Sequence, residues 1–551
     1  MCPPGTSLDP VTMRPPVEMA APRSALALCL LAAIGLLAAV IRFRLLEIPL
    51  DRDEGEYAYF GQLLLEGVPP YADAYNLKAP GICAAYALIL GAFGQTIAAI
   101  RVGLIIVTSA TTVLMYLFAA RLGGPRTGLV AAAVYAVQAL NPKVLGLAAY
   151  AEHFVLLSVV AGSLVLMAPA RDRRPLLMVT GGLLFGLAVL MKQSAAPFVV
   201  AGALYTLLSS AADGTGRWPR RLRATAFFAA GAVTPFALAC LALWYAGTLR
   251  TFLFWALVYG STYSTGLSTG LINLVGRFIA VAPSSSVTLG LGAIGLGALL
   301  RDRRRSGAGL VLLLAVAALL GTMVGFHFRA QYCILVLAAL ALLAAIGVDA
   351  LERLLPVSRA GVLRRAVPLV VVAAALAQPL HASQDVLFEL GPVQASRAVY
   401  GRINPFPESL EIGRYIREHS APGDRVAVVG SEPQIYFYAG RRSATGFIYT
   451  YPLMELQSHA AAMQRQMIQE IERADPRYVV FVRAATSWLI RPGSDMTIFG
   501  WFEQYQRSLT RVGVADILEG QETVYRWGAD ARDYAPRSDV WLMVFERGRK
   551  S

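Results

Sequence analysis

The chain has 551 residues, of which 56% are hydrophobic and only 15% charged, with a formal net charge of +14. Apolar runs near twenty residues long recur through the first 380 positions, which excludes a soluble protein built around one large core and points to a polytopic α-helical membrane protein. The basic excess also argues against a nucleic-acid partner. It lies in short clusters between apolar runs, such as Arg121/Arg126, Arg171/Arg173/Arg174, Arg217/Arg220/Arg221/Arg223, Arg301/Arg303/Arg304/Arg305 and Arg353/Arg359/Arg364/Arg365, the pattern of cytoplasmic loops.

In chain order, residues 1–23 are rich in Pro and read as a cytoplasmic tip. The first apolar run follows Arg14 and Arg23 as a signal peptide would, but it is long and has no small-residue cleavage site before Arg42, so it reads as an uncleaved span. Eleven spans follow from the Arg clusters: 24–46, 97–120, 128–146, 152–170, 175–191, 194–210, 224–247, 285–300, 307–326, 330–349 and 366–381. An odd number places the C-terminal part outside the cell membrane. The external loop 46–96 stands out for its charge. The connection 248–284 carries two semi-apolar stretches, TFLFWALVYGSTY and LINLVGRFIAVAP. Either they lie in the interface with Trp255, Tyr259 and Tyr263 at headgroup depth, or they form one further hairpin of spans.

Residues 382–551 are polar and broken by Pro and Gly, as in a soluble domain. RVAVVG (425–430), RYVVFV (477–482) and WLMVFER (541–547) read as strands, and 453–474 has helical periodicity, which gives a small α/β domain. Gly430 follows a strand without a GxGxxG pattern, so a nucleotide site is not indicated. The five Cys form no CxxC or Cys/His metal spacing, and none lies in this domain, so structural disulfides and zinc sites are not indicated either.

The stretch LDRDEGEYAYFGQLLLEGVPPY places Asp51, Asp53, Glu54 and Glu56 within six positions of a largely apolar chain. The spacing predicts a helix over 54–65 that lies on the membrane, with Tyr57, Phe60, Leu64 and Leu65 facing the lipid or the bundle. Asp53 then sits at the helix N-terminus, where the dipole favours a carboxylate. An N-cap at Asp51 or Asp53 within a solvated loop accounts for part of the same pattern. Other ionisable groups share this side. Lys78, Lys143 and Lys192 are three of only four Lys in the chain, and all three fall near external span ends against the positive-inside bias. Glu152 and His153 open the fourth span, and His327 and Arg329 lie in GFHFRAQY. Such groups cost free energy near lipid unless paired, so carboxylates and cations on one face suggest a site for an anionic ligand together with a base. Lys143, Arg101 and Arg277, taken singly, read as snorkelling anchors.

The pattern DRDEGEYAYFGQLLLEGVPPYADAYNLKAPG resembles the first external loop of the GT-C membrane glycosyltransferases, among them protein O-mannosyltransferases, lipid A aminoarabinose transferases and bacterial enzymes acting on lipopolysaccharide cores. Asp53-Glu54 match the acidic pair, Tyr57 the aromatic, and Lys78 with Pro80 the basic turn, while Ala79 stands where a Pro is often found. GLAVLMKQSAAP around Lys192 and HFRAQY around Arg329 are similar to further landmarks. The resemblance implies a bacterial envelope enzyme of the inner (plasma) membrane that transfers a sugar from a polyprenyl-phosphate donor to a hydroxyl of a lipid, glycan or protein acceptor. It implies Asp53 as general base with Glu54 supporting it, and Lys78, with Lys192, His327 and Arg329, stabilising the leaving phosphate. The leaving group is already a phosphate, so no second carboxylic acid is needed, and a single displacement inverts the anomeric centre. Tyr57 and Glu152 join the substrate-binding set. Asp53, Glu54 and Glu152 supply hard oxygen ligands for a divalent cation, although no spacing demands one. A transporter or flippase and an inactive scaffold of envelope assembly are the competing readings. Neither an inverted repeat nor a line of mid-span charges favours transport.

Overall fold

The computed structural model describes residues 25–168, 174–209, 218–302, 307–354 and 361–548. The N-terminal tip and several Arg of the topology-setting clusters (Arg171, Arg173, Arg217, Arg303, Arg304, Arg305 and Arg359) lie outside the described residues. Lipid offers backbone groups no partners, so the apolar runs fold as helices. They are α1 (Ala25–Arg44), then α2 (Arg52–Leu65) and α3 (Gly81–Phe93) within the connection 46–96, α4 (Ile97–Gly123), α5 (Pro125–Gln138), α6 (Ala151–Leu166), α7 (Arg174–Met191), α8 (Ala196–Ser209) and α9 (Trp218–Tyr245). After these come two short pieces, α10 (Leu249–Leu253) and α11 (Gly260–Thr262), and the long helices α12 (Leu267–Arg301), α13 (Ala308–Thr322), α14 (Ile334–Leu354) and α15 (Gly361–His381). By length and composition, five described helices suffice to cross a bilayer: Ala25–Arg44, Ile97–Gly123, Trp218–Tyr245, Leu267–Arg301 and Ala330–Leu354.

The connection 248–284 differs from both expectations. LINLVGRFIAVAP is the first half of α12, a single 35-residue helix that runs through Pro283. Its Ile272, Phe278 and Ile279 are exposed along an apolar face, as a lipid-facing helix requires. The first stretch forms α10, a wide turn over Phe254–Tyr259, and α11. Trp255 and Tyr259 are buried within the protein. Trp255 stacks on Tyr75 at 5.6 Å and meets Phe447 of the C-terminal domain at 5.9 Å.

The C-terminal domain is a six-stranded mixed sheet flanked by helices. Its strands are β1 (Arg425–Val429), β2 (Arg442–Ser443), β3 (Tyr478–Arg483), β4 (Thr510–Asp516), β5 (Val524–Trp527) and β6 (Trp541–Glu546), in the order β2-β1-β3-β6-β4-β5. β1 runs parallel to β2 and β3, and the remaining pairs are antiparallel. The strands expected at 425–430, 477–482 and 541–547 are present. The helix expected over 453–474 is split into Tyr451–Met454 and Ala460–Ala474.

The domain is packed on the connection 46–96. Tyr57 and Tyr59 of α2 share one core with Val428, Ile435 and Tyr436, and each such large side chain contributes about 1.5–3 kcal/mol by burial. α2 is therefore sandwiched between bundle and sheet instead of lying on lipid, and apart from Asp53, whose side chain is 24% exposed, it reaches the surface only in its last turn, with Leu65 at 44% exposure. Gly55 makes this approach possible: a Cβ there would stand 2.5 Å from the Cβ of Gln434. Arg52 clamps the same junction. Its guanidinium donates to Glu432 at 2.6 Å and to the Ser431 carbonyl at 2.9 Å.

Candidate active site

The Asp51 side chain accepts from Glu54 N at 2.9 Å and caps α2, which satisfies one of the free amides at the helix start. Asp53 and Glu56, three residues apart, project from one face of the helix. Lys78 meets them both. It ends a loop whose bonds include Tyr75 N donating to the Gly446 carbonyl (2.7 Å), Lys78 N to Asn76 Oδ1 (2.8 Å), the Tyr71 hydroxyl to the Lys78 carbonyl (2.7 Å) and Gln193 Nε2 to the Leu77 carbonyl (2.7 Å). The ammonium donates to Asp53 Oδ1 at 2.8 Å and to Glu56 Oε2 at 2.6 Å, and it stands 4.5 Å from the centre of the Tyr57 ring.

Asp53, Lys78, Lys192 and Arg329 line one cavity of about 200 Å³, together with Gln331, Tyr263, Tyr332 and Tyr451. Asp53 also accepts from Gln331 Nε2 and from the Tyr449 hydroxyl, each at 3.2 Å. Arg329 donates to the Tyr263 hydroxyl at 3.1 Å. Lys192 is paired with Glu152 and stands 4.4 Å from the Tyr332 ring centre. A smaller cavity of about 60 Å³ adjoins the first. It shares Leu77, Lys78, Tyr263 and Tyr451 with it and adds Glu56, Tyr75, Trp255, Phe447 and Tyr449.

The charges divide accordingly. Burial works against the Asp53 anion, but Lys78, with Lys192 and Arg329 beyond it, outweighs burial and holds this carboxyl below the usual carboxylate range. Burial pushes Glu56 up to about 7 and the Asp53 charge adds to it, against the opposing pull of Lys78. Burial, joined by Arg329 and Arg491, lowers His327 to about 4, so this imidazole is neutral at pH 7.

The residues singled out from the sequence do not all meet. Asp53, Lys78, Lys192 and Arg329 converge on the cavity. Tyr57 lies beneath Lys78, and Glu152 stands behind Lys192 as its counter-ion. His327 packs its ring against Tyr263, 4.4 Å between centres, and is not in the cavity wall. Glu54 turns the other way: fully buried, it binds Arg101 through both oxygens and accepts from Ala149 N at 2.6 Å. Arg101, expected as a snorkelling anchor, is instead the buried partner of this carboxylate. Asp53, Glu54 and Glu152 therefore do not converge as a ligand set, and among the described residues no three His, Cys, Asp or Glu side chains are grouped to hold a metal ion. Sequence reasoning missed Glu56, Gln331 and the tyrosines. The three-residue step from Asp53 was a signal for Glu56, whereas Tyr449 and Tyr451 reach the site only through tertiary packing.

The family model described as dolichyl-phosphate-mannose-protein mannosyltransferase matches residues 77–245, which include Lys78 and Lys192. No curated protein matches the chain by sequence. Among solved structures, ArnT from Cupriavidus metallidurans bound to undecaprenyl phosphate is similar with a TM-score of 0.59 at 14% identity, covering 96% of this chain and 100% of that one. The oligosaccharyltransferase AglB from Archaeoglobus fulgidus, in complex with an inhibitory peptide and a dolichol-phosphate, is similar with a TM-score of 0.51 at 14% identity, covering 94% of this chain and 76% of that one. In fold, an apolar helix bundle with a C-terminal sheet domain, the chain is similar to these two structures over nearly its whole length.

Proposed function

We propose that the protein transfers a sugar from a polyprenyl-phosphate donor to a hydroxyl acceptor at the extracytoplasmic face of the inner (plasma) membrane. The observation that carries this reading is the gathering of Lys78, Lys192 and Arg329 around Asp53 in one cavity at the junction of bundle and sheet domain. Three cations beside one carboxylate suit a bound phosphate next to a group that receives a proton. The polyprenyl phosphates bound to the similar ArnT and AglB structures support the same ligand class.

In this reaction the acceptor oxygen attacks the anomeric carbon while the carbon–oxygen bond to the phosphate breaks, and its electrons leave with the phosphate. Lys78, Lys192 and Arg329 stabilise the charge that develops there. Asp53 accepts the hydrogen bond of the attacking hydroxyl and takes its proton. Glu54 acts at a distance, fixing the start of α2 through Arg101. The concentration of ionisable side chains at one end of the bundle favours chemistry at one face over a path for transport.

The test is transfer from a panel of radiolabelled polyprenyl-phosphate sugars in membranes containing acceptor, with wild type beside Asp53→Asn. Labelled product from wild type alone supports the reading and names the donor. No transfer from any donor by folded wild type sinks it.

A further inference from the structure

We propose that the proton released by the acceptor hydroxyl ends on Glu56, relayed from Asp53 through the ammonium of Lys78; this rests on the transfer reaction proposed above. The geometry is a bridge. One ammonium donates to Asp53 at 2.8 Å and to Glu56 at 2.6 Å, and the two carboxylates sit on the walls of adjoining cavities.

The two ends of that bridge differ as proton acceptors. Asp53 receives three donors, Lys78, Gln331 and Tyr449. Each stabilises its anion, so a proton that arrives there disrupts the set and is passed on. Glu56 receives Lys78 on Oε2 and, among the described residues, nothing on Oε1. Its side chain is 4% exposed and faces the aromatic wall made by Tyr75, Trp255 and Phe447. Burial in such a wall disfavours the anion and favours the acid. The opposite displacements of the two carboxyls, Asp53 downwards and Glu56 upwards, run in the same direction as the proposed transfer.

The step balances. The hydroxyl proton moves to Asp53 as the new carbon–oxygen bond forms and the phosphate leaves. Lys78 then gives one of its protons to Glu56 and takes the one on Asp53. Lys78 and Asp53 recover their charges, and Glu56 is left neutral until it releases the proton through the smaller cavity. The groups that face Glu56 are Asp53 and Tyr57 on α2, Tyr71 and Lys78 on the loop, Cys83 on α3 and Tyr449 on the sheet domain, with the cavity hydroxyls of Tyr75, Tyr259, Tyr263 and Tyr451. Lys78 is the one cation among them.

A Glu56 that is already protonated cannot receive the relayed proton, so kcat must fall as pH falls through about 7. The experiment measures kcat and donor KM against pH for purified wild type, Glu56→Gln and Glu56→Asp in lipid. Infrared titration of the protonated-carboxyl band accompanies it. The expected result is an acid limb in wild type with a slope of about tenfold per pH unit. Glu56→Gln should lose that limb, with kcat down by about a hundredfold and donor KM within about twofold, and Glu56→Asp should restore the limb. In the infrared, a carboxyl band that titrates near the limb's midpoint should be present in wild type and missing in Glu56→Gln. An acid limb that survives in Glu56→Gln overturns the relay. So does a raised donor KM with kcat unchanged, which would make Glu56 only an anchor for Lys78. Absence of the titrating band overturns it whatever the transfer assay shows. A folded wild type that transfers from no donor overturns the functional reading, and the relay with it.

Discussion

The four carboxylates of residues 51–56 divide into two pairs on two faces of one helix, and the faces do different things. Asp51 and Glu54 point into the protein: Asp51 caps the helix and bonds the Tyr150 hydroxyl, and Glu54 closes on Arg101 and the Ala149 amide. Asp53 and Glu56 point to the cavities and share Lys78. Both pairs have a three-residue step, so helix geometry alone separates them. Acidic side chains two positions apart in sequence thus serve opposite ends. One pair binds buried partners and fixes where α2 starts, and the other faces the two cavities and shares one ammonium.

The comparison breaks most visibly at Asp53. Asp53→Asn keeps the shape and loses the charge, so transfer should fall by about 10²–10⁴-fold, the range of a general base, while Lys78 keeps Glu56 as a counter-ion and the melting temperature should fall less than in Glu54→Ala. Glu54→Ala should do the reverse. It leaves the Arg101 guanidinium buried without its counter-ion, and removing one partner of such a pair costs about 3–5 kcal/mol. A thermal or denaturant melt reads that loss, while turnover per folded molecule should fall by less than in Asp53→Asn, because Glu54 only positions the start of α2. Equal loss of turnover in the two variants would erase the distinction between the faces.

Much of this was legible in the sequence because charge is conspicuous in a chain that is 56% hydrophobic. Asp53, Lys78, Lys192 and Arg329 stand out for that reason, and they meet. Glu56 did not stand out, because a cluster of four carboxylates hides which of them faces a cavity until the helix is phased against its neighbours. Gln331, Tyr449 and Tyr451 are neutral and come from distant segments. The long helix α12 was illegible for a related reason. Arg277, Pro283, Ser284 and Ser285 interrupt its hydropathy, but the structure absorbs them: Arg277 donates to the Phe328 carbonyl at 3.1 Å, Asn141 donates to Ser284 Oγ at 2.9 Å, and Ser285 donates to Gln138 Oε1 at 2.9 Å. A hydropathy pattern cannot see partners that lie 51 to 147 residues away. In the sheet domain, β4 carries a bulge between Arg511 and Gly513, and β5 has only four residues, so neither gives a clean alternating signal.

A smaller effect is expected at Lys192, which lies on the cavity wall but already has Glu152 as a partner. Lys192→Met removes one of three cations and leaves Lys78 and Arg329, so donor KM should rise by about tenfold, roughly the worth of one charge-assisted hydrogen bond. An unchanged KM would confine phosphate recognition to Lys78 and Arg329.

The smallest effect sharpens the comparison most. Tyr449→Phe removes only the hydroxyl that donates to Asp53 at 3.2 Å and leaves the ring in place. Losing one such bond is worth about 1 kcal/mol, roughly fivefold. The sign depends on what Asp53 does. A hydroxyl that stabilises the anion makes Asp53 a weaker base, so its removal raises the basicity of Asp53 and should raise kcat by a few-fold if proton transfer limits the rate. A hydroxyl that holds Asp53 against the attacking group should instead lower kcat when it is lost. Because Tyr449 stands on the sheet domain while Asp53 stands on α2, either change in kcat, measured with donor saturating and folding verified, would show that the sheet domain tunes a carboxylate of the helix it packs on.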